Sequence, residues 1–338
     1  MDNYHIGKHS FHLENPPVIQ GWSAVAGKKE SEGPLGKYFD QTLDDSYAGE
    51  KSWEQAEQRL QKTALEILLQ KTCNTKEDIG AVVSGDLLNQ CISSSMSLTN
   101  LGLSHLGLYG ACSTMAESLL ISAIMVGGHF YDHVVAMTSS HFAASERQYR
   151  FPLDYGGQRP PTSQWTVTGS GAALLSQQGS GPRITACTIG TVVDLGITDA
   201  NNMGPAMAPA ALKTIQTHLS DLGASVDDYD WIVTGDLGKL GVDTLIQLGN
   251  EVGLDLTGKV LDCGMEIFDR HVQDVHAGGS GCGCSAVVLC GYLLNQLNTG
   301  KLKKILFCGT GALLSPTSVQ QNLSIPGICH AVAIEGGC

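Results

Sequence analysis

Apolar positions along the chain follow two periods, and the alternation between them occurs twice. From Ser52 to Lys71 the spacing is helical: Trp53, Ala56, Leu60, Ala64 and Leu68 share a face, and Ser52 is placed to cap the first turn. An acidic connector, Thr75-Lys76-Glu77-Asp78, leads into Ile79-Gly80-Ala81-Val82-Val83-Ser84-Gly85-Asp86, a short apolar run that predicts a buried strand ending in a Gly-Asp turn. The plan returns 150 residues later, pairing Asp78 with Asp228, Gly85 with Gly235 and Asp86 with Asp236. There a helical pattern over Pro205 to Leu222 precedes Val226-Asp227-Asp228 and the strand Trp231-Ile232-Val233-Thr234.

The two copies continue in step. Gly110-Ala111-Cys112-Ser113 opens a helix to about Gly127, followed by the strand His133 to Met137. In the second copy Gly278-Gly279-Ser280-Gly281-Cys282 opens an apolar helix to about Gln296, followed by Lys304 to Cys308. The offset grows to about 168–171, consistent with one extra loop. Strands alternating with helices predict an α/β fold with buried, parallel-rich mixed sheets. Two pseudo-symmetric halves follow, residues 1–180 and 181–338, each of ordinary domain size. Residues 1–50 and 142–166 break the symmetry: they hold many turn formers and few periodic elements, and read as loops, the second as a lid or interface arm.

Composition narrows the function. The chain is 42% apolar and only 16% charged, which excludes disorder. A formal net charge of −13 opposes nucleic-acid binding. The most apolar stretch, Leu119 to Gly128, is about half the ~20 residues a spanning helix needs. The polar, His-containing N-terminus does not read as a signal peptide. Eleven cysteines in apolar contexts, without paired CxxC sets, indicate a reducing compartment and buried thiols.

Cys112 is the sharpest chemical candidate. At a helix start the dipole lowers a thiol pKa, whereas a small core residue is the plainer reading. The helix N–H groups from Cys112 and Ser113 to Thr114 offer an anion site, and Ser139-Ser140-His141 adds hydroxyls and an imidazole. Three of the six arginines, Arg147, Arg150 and Arg159, fall in the asymmetric segment, either to clasp a carboxylate or to pair with Glu146 and Asp154 or hold a dimer interface. Asp86 and Asp236, symmetric strand-end acids, either cap turn amides or offer oxygen ligands to a hard cation.

Gly110-Ala111-Cys112-Ser113, the mirrored halves and Asp230-Trp231-Ile232-Val233 resemble the thiolase-like αβαβα fold, ketoacyl-acyl-carrier-protein synthase III in particular. That resemblance makes Cys112 the position of an acyl-accepting nucleophile. It places the family's His at Gly235 and its Asn at Gly279, neither of which can act as acid, base or side-chain donor. A scaffold that keeps its pocket and has lost its chemistry is implied. The alternative is an acyltransferase using Cys112 with His141 or His276.

A second resemblance runs from about residue 10 to 335. Gly33-Pro34-Leu35-Gly36, Gly85-Asp86-Leu87-Leu88-Asn89-Gln90, Tyr155-Gly156-Gly157-Gln158 and Gly309-Thr310-Gly311-Ala312 resemble the stage V sporulation protein AD family. So do Thr138-Ser139-Ser140-His141 and Met207-Ala208-Pro209-Ala210-Ala211. It implies non-enzymatic binding of dipicolinic acid, free or as its calcium chelate, for uptake into the developing spore. It also implies a protein with no cofactor of its own, working with other stage V sporulation membrane-complex proteins on the cytoplasmic side of the spore inner membrane, and the thiolase-like fold implies a homodimer.

Overall fold

The computed structural model describes residues 4–149 and 158–337. Strands β1 (Val18–Ala26), β2 (Ala81–Gly85), β3 (His105–Gly107), β4 (His133–Ser140) and β5 (Gly169–Ser176) form the first half. Strands β6 (Arg183–Thr188), β7 (Trp231–Thr234), β8 (Val260–Asp262), β9 (Lys304–Ala312) and β10 (Gly327–Glu335) form the second. The orders are β3-β2-β4-β5-β1 and β8-β7-β9-β10-β6, so each strand has a mate in the other copy. Arg183 pairs antiparallel with Val18, and the strand Ser10–His12 pairs with Ala186–Thr188 of β6, so the halves join in one continuous sheet.

Strands are parallel where a helix carries the chain across, as in β2–β4 and β7–β9. The sheet is mixed, as expected: β5 and β10 run antiparallel to their neighbours in both halves. Antiparallel partners need no crossover helix, and these strands carry small residues that hide their period. Nor are residues 1–50 a loop region: β1 is a buried nine-residue strand at the centre of the molecule.

Helices α1 (Trp53–Thr72), α2 (Thr114–Gly127), α3 (Phe142–Tyr149), α4 (Met203–Leu222), α5 (Gly238–Glu251) and α6 (Cys282–Val288) complete the layers. Ser52 Oγ accepts from Gln55 N at 3.3 Å, as its capping position requires, and Ala56, Leu60, Ala64 and Leu68 are buried. One core cluster lies under α1, a second under α4, and the third joins α2 and the α6 region to strands of both halves. This is an α-β-α-β-α stack with α2 and α6 in the middle.

The repeat reaches individual hydrogen bonds. Asp78 accepts from Thr75 N at 2.7 Å, and Asp228 accepts from Ser225 N at 2.7 Å, closing matching capping boxes before β2 and β7.

Candidate functional site

The starts of α2 and α6 meet the C-terminal ends of the strands at the middle of the stack. Ala111 takes a left-handed φ of 52°, which turns the chain sharply so that Cys112 stands just before α2. Gly311 of β9 allows the close approach, because a Cβ there would sit 2.5 Å from the Gly110 carbonyl oxygen. Cys112 is 7% exposed and forms part of the wall of a cavity of about 90 Å³. The remaining wall comes from Leu87, Tyr109, α3, Thr166, the start of α4, Ser280, and the segment from Ala312 to Val319.

Behind Cys112 lies Asp236, the strand-end acid of the opposite half. Its carboxylate accepts from Gly281 N at 2.8 Å, Thr310 Oγ1 at 2.9 Å and Ser280 Oγ at 3.2 Å, and the Cys112 thiol hydrogen-bonds it as well. Burial raises the Asp236 pKa against the pull of those donors. Burial, then the Asp236 charge, pushes the Cys112 thiol well above its ordinary value. The sequence expectation of a dipole-lowered thiol is therefore overturned, because desolvation and a facing carboxylate outweigh one helix end. Neighbouring Asp262 is raised to about 7, again chiefly by burial, while accepting from Thr234, Leu237, Gly238 and Met265.

The other anticipated residues are dispersed. Asp86 caps backbone, accepting from Leu88 N at 2.9 Å and from Ser94 N and Oγ at 2.7 Å. Ser113 Oγ donates back to Gly110 O at 2.6 Å, within the turn. Ser140 Oγ donates to Val167 O at 2.7 Å and accepts from Gly283 N at 3.1 Å. His141 hydrogen-bonds Ser46 O through Nε2 at 2.8 Å and borders a different cavity, beside Glu30 and Trp165. Burial lowers its pKa, which favours the neutral imidazole at the start of α3.

Arg147 pairs with Glu54 and lies over Trp53, while Arg159 pairs with Asp274 beside Trp165. Neither lines the Cys112 cavity. Arg150 lies outside the described residues, as do Asp154 and Tyr155 to Gly157. Segment 142–166, anticipated as a loop, supplies α3 and the short strand Trp165–Thr166.

Gly235 and Gly279 are tightly packed. A Cβ at Gly279 would lie 2.9 Å from Ile267, and one at Gly235 would lie 3.1 Å from Thr310 N. Neither His141 nor His276 lines the Cys112 cavity.

Several lining residues went unread in the sequence. Ser145, Glu146 and Tyr149 project from α3, one helical turn apart or less, and Met203 and Leu314 close the second half's side. Tyr149 hydroxyl donates to Leu87 O at 2.5 Å and meets the Tyr109 hydroxyl at 2.8 Å. The i, i+4 spacing of Ser145 and Tyr149 was the available signal, obscured by reading the segment as a loop.

The architecture is the thiolase-like fold. OleA from Xanthomonas campestris superposes with a TM-score of 0.62 at 15% identity, covering 96% of this chain and 99% of its own. The 3-oxoacyl-[acyl-carrier-protein] synthase III of Aquifex aeolicus VF5 gives 0.58 at 11% identity, covering 94% and 99%. Within that fold the stage V sporulation protein AD family matches residues 7–335. Stage V sporulation protein AD of Bacillus subtilis (strain 168) is 45% identical over 329 residues, 97% of either chain. The chain belongs to the stage V sporulation protein AD family.

Proposed function

We propose that the protein binds dipicolinic acid in the Cys112 cavity, without catalysing a reaction, and thereby serves its uptake into the developing spore. The carrying observation is the cavity itself: a largely apolar space at the meeting of two helix starts, with glycine at the two positions that the synthase resemblance assigns to His and Asn. No Lys or Arg is among its described lining residues, and Glu146 and the nearby Asp236 are acidic. A dianion is repelled there, whereas the calcium chelate enters with its charge cancelled. The cation then arrives with the ligand, with oxygen ligands available from the acid itself.

The same reading places the protein at the cytoplasmic face of the spore inner membrane, held by other stage V sporulation membrane-complex proteins. Among the described residues no helix is long and apolar enough to cross a membrane. It is a homodimer in this reading, supported by β3, an outer edge strand flanked by exposed Leu106, Tyr109 and Met96.

Titration calorimetry with pyridine-2,6-dicarboxylate, with and without calcium, tests the reading. Heat of binding is expected with calcium present, and its absence in both arms at millimolar ligand sinks the proposal. Retention of Cys112 at the cavity wall favours one rival, an acyltransferase. Intact-mass spectrometry after exposure to acyl-CoA distinguishes it: a Cys112 thioester adduct, lost in Cys112→Ser, would replace the binding reading with an enzymatic one.

A further inference from the structure

The α3 wall of the cavity holds a buried, unpaired hydroxyl. Ser145 is 4% exposed, and among the described residues its Oγ has no hydrogen-bond partner. Helical hydroxyls normally donate to the carbonyl a turn back. Thr244 and Ser95 do so here, at 2.8 Å to Leu240 O and 2.9 Å to Cys91 O. Ser145 does not, although its backbone N–H is satisfied by His141 O at 3.0 Å. Ser118 and Ser122 of α2 also lack partners, but neither borders the cavity.

The neighbouring polar groups already give their protons away. The thiol of Cys112 and the hydroxyl of Ser280 serve Asp236, and Tyr149 serves the Leu87 carbonyl. Ser145 thus brings to that wall a desolvated donor with no protein partner among the described residues. A buried polar group left unpaired is unfavourable and calls for a partner.

We propose that Ser145 is a ligand-recognition residue, donating its hydroxyl proton to an acceptor oxygen of the bound molecule, a carboxylate oxygen that faces away from any chelated cation. This rests on the reading of the cavity as the dipicolinate site. It makes Ser145 a determinant of which small planar carboxylates the cavity retains.

The test is calorimetry of the full chain with calcium and pyridine-2,6-dicarboxylate, run for wild type, Ser145→Ala and Ser145→Thr, alongside thermal melts without ligand. Ser145→Ala is expected to bind about tenfold more weakly or worse, as for loss of a hydrogen bond to a charged group. Its ligand-free midpoint should equal or exceed wild type, since an unpaired hydroxyl is removed. Ser145→Thr, keeping the hydroxyl, should recover most of the affinity. Unchanged affinity in Ser145→Ala overturns the assignment. So does a lowered ligand-free midpoint with equal weakening in Ser145→Thr, which marks a packing role. A folded wild type that gives no heat overturns the cavity reading itself.

Discussion

Two corners of the molecule are built from the same parts and end differently. Each brings the cysteine at one half's central helix start toward the strand-end aspartate of the other: Cys112 with Asp236, and Cys282 with Asp86. The first corner opens on the cavity. The second is sealed, with Cys282 fully buried and its thiol donating to Ser139 O at 3.0 Å. The difference comes from the outer helices. In α1, Gln61 Nε2 donates to Ser139 Oγ at 2.7 Å and Ser94 Oγ at 3.0 Å, and Glu57 accepts from Ser139 Oγ at 2.8 Å. At the matching positions α4 carries Met207 and Ala211, which pack into core and send no polar group inward. A duplicated scaffold thus fills one corner with a polar network and leaves the other open as a cavity.

Buried acids at both corners give the largest expected effect, a fall in stability with rising pH. Asp262, beside the open corner, is raised from 3.8 to about 7, and Glu57, in the sealed corner, is raised well above its ordinary value. Unfolded carboxyls titrate near their ordinary values, so between pH 4 and 7 the native state binds more protons and stability declines as pH rises. For Asp262 the shift corresponds to roughly 3–4 kcal/mol lost by pH 7, after which its contribution levels off. Urea unfolding at pH 5, 7 and 9 measures this. Glu57→Gln should make the decline shallower, and an unchanged slope would show that Glu57 is ionised in the folded protein.

Next in size is Gln61→Ala. It leaves Ser94, Ser97 and Ser139 short of partners and opens a void in the sealed corner, for an expected loss of about 2–4 kcal/mol. Binding at the open corner should be unaffected. A loss below about 1 kcal/mol would mean that Gln61 does not hold the corner shut.

How much of this contrast the amino-acid pattern carries depends on period. The helix–acid-pair–strand repeat is explicit, down to the Asp78 and Asp228 capping boxes, because helical stripes and continuous apolar runs stand out. Strands β1 and β5 do not: VIQGWSAVA and GSGAALLS mix Gly, Ser and Ala, whose small side chains carry little periodic signal. Cys112 and Asp236 are legible as a helix start and a strand end. Their meeting across the halves is not, because it is a tertiary contact. His141 and Ser140 looked like site residues by position in the chain, yet strand geometry sends them to other partners.

Access separates the corners at a smaller scale. Thiol alkylation followed by mass spectrometry should label exposed Cys73 first, Cys112 at least about tenfold more slowly, and Cys282 only on unfolding. Since the Asp236 charge raises the Cys112 pKa, Asp236→Asn should increase the thiolate fraction and speed Cys112 labelling. Equal rates at Cys112 and Cys282 would erase the distinction between an open and a sealed corner.

The smallest effect concerns Arg147, which by sequence stood ready to clasp a carboxylate at the open corner. In the fold its guanidinium lies over the Trp53 ring, 5.4 Å from the centroid, and pairs with Glu54, with Nε donating at 3.0 Å. Both partners belong to the start of α1, the helix that seals the other corner. The pair is half-exposed, so screening and side-chain entropy leave it worth about 0.5–1 kcal/mol. Arg147→Ala should therefore lower stability by that amount and change dipicolinate affinity less than about twofold, since a residue outside the cavity wall forfeits no ligand contact. Calorimetry decides the point. A tenfold loss of affinity would place Arg147 at the ligand and require α3 to turn on binding, coupling the two corners through the helix that touches both.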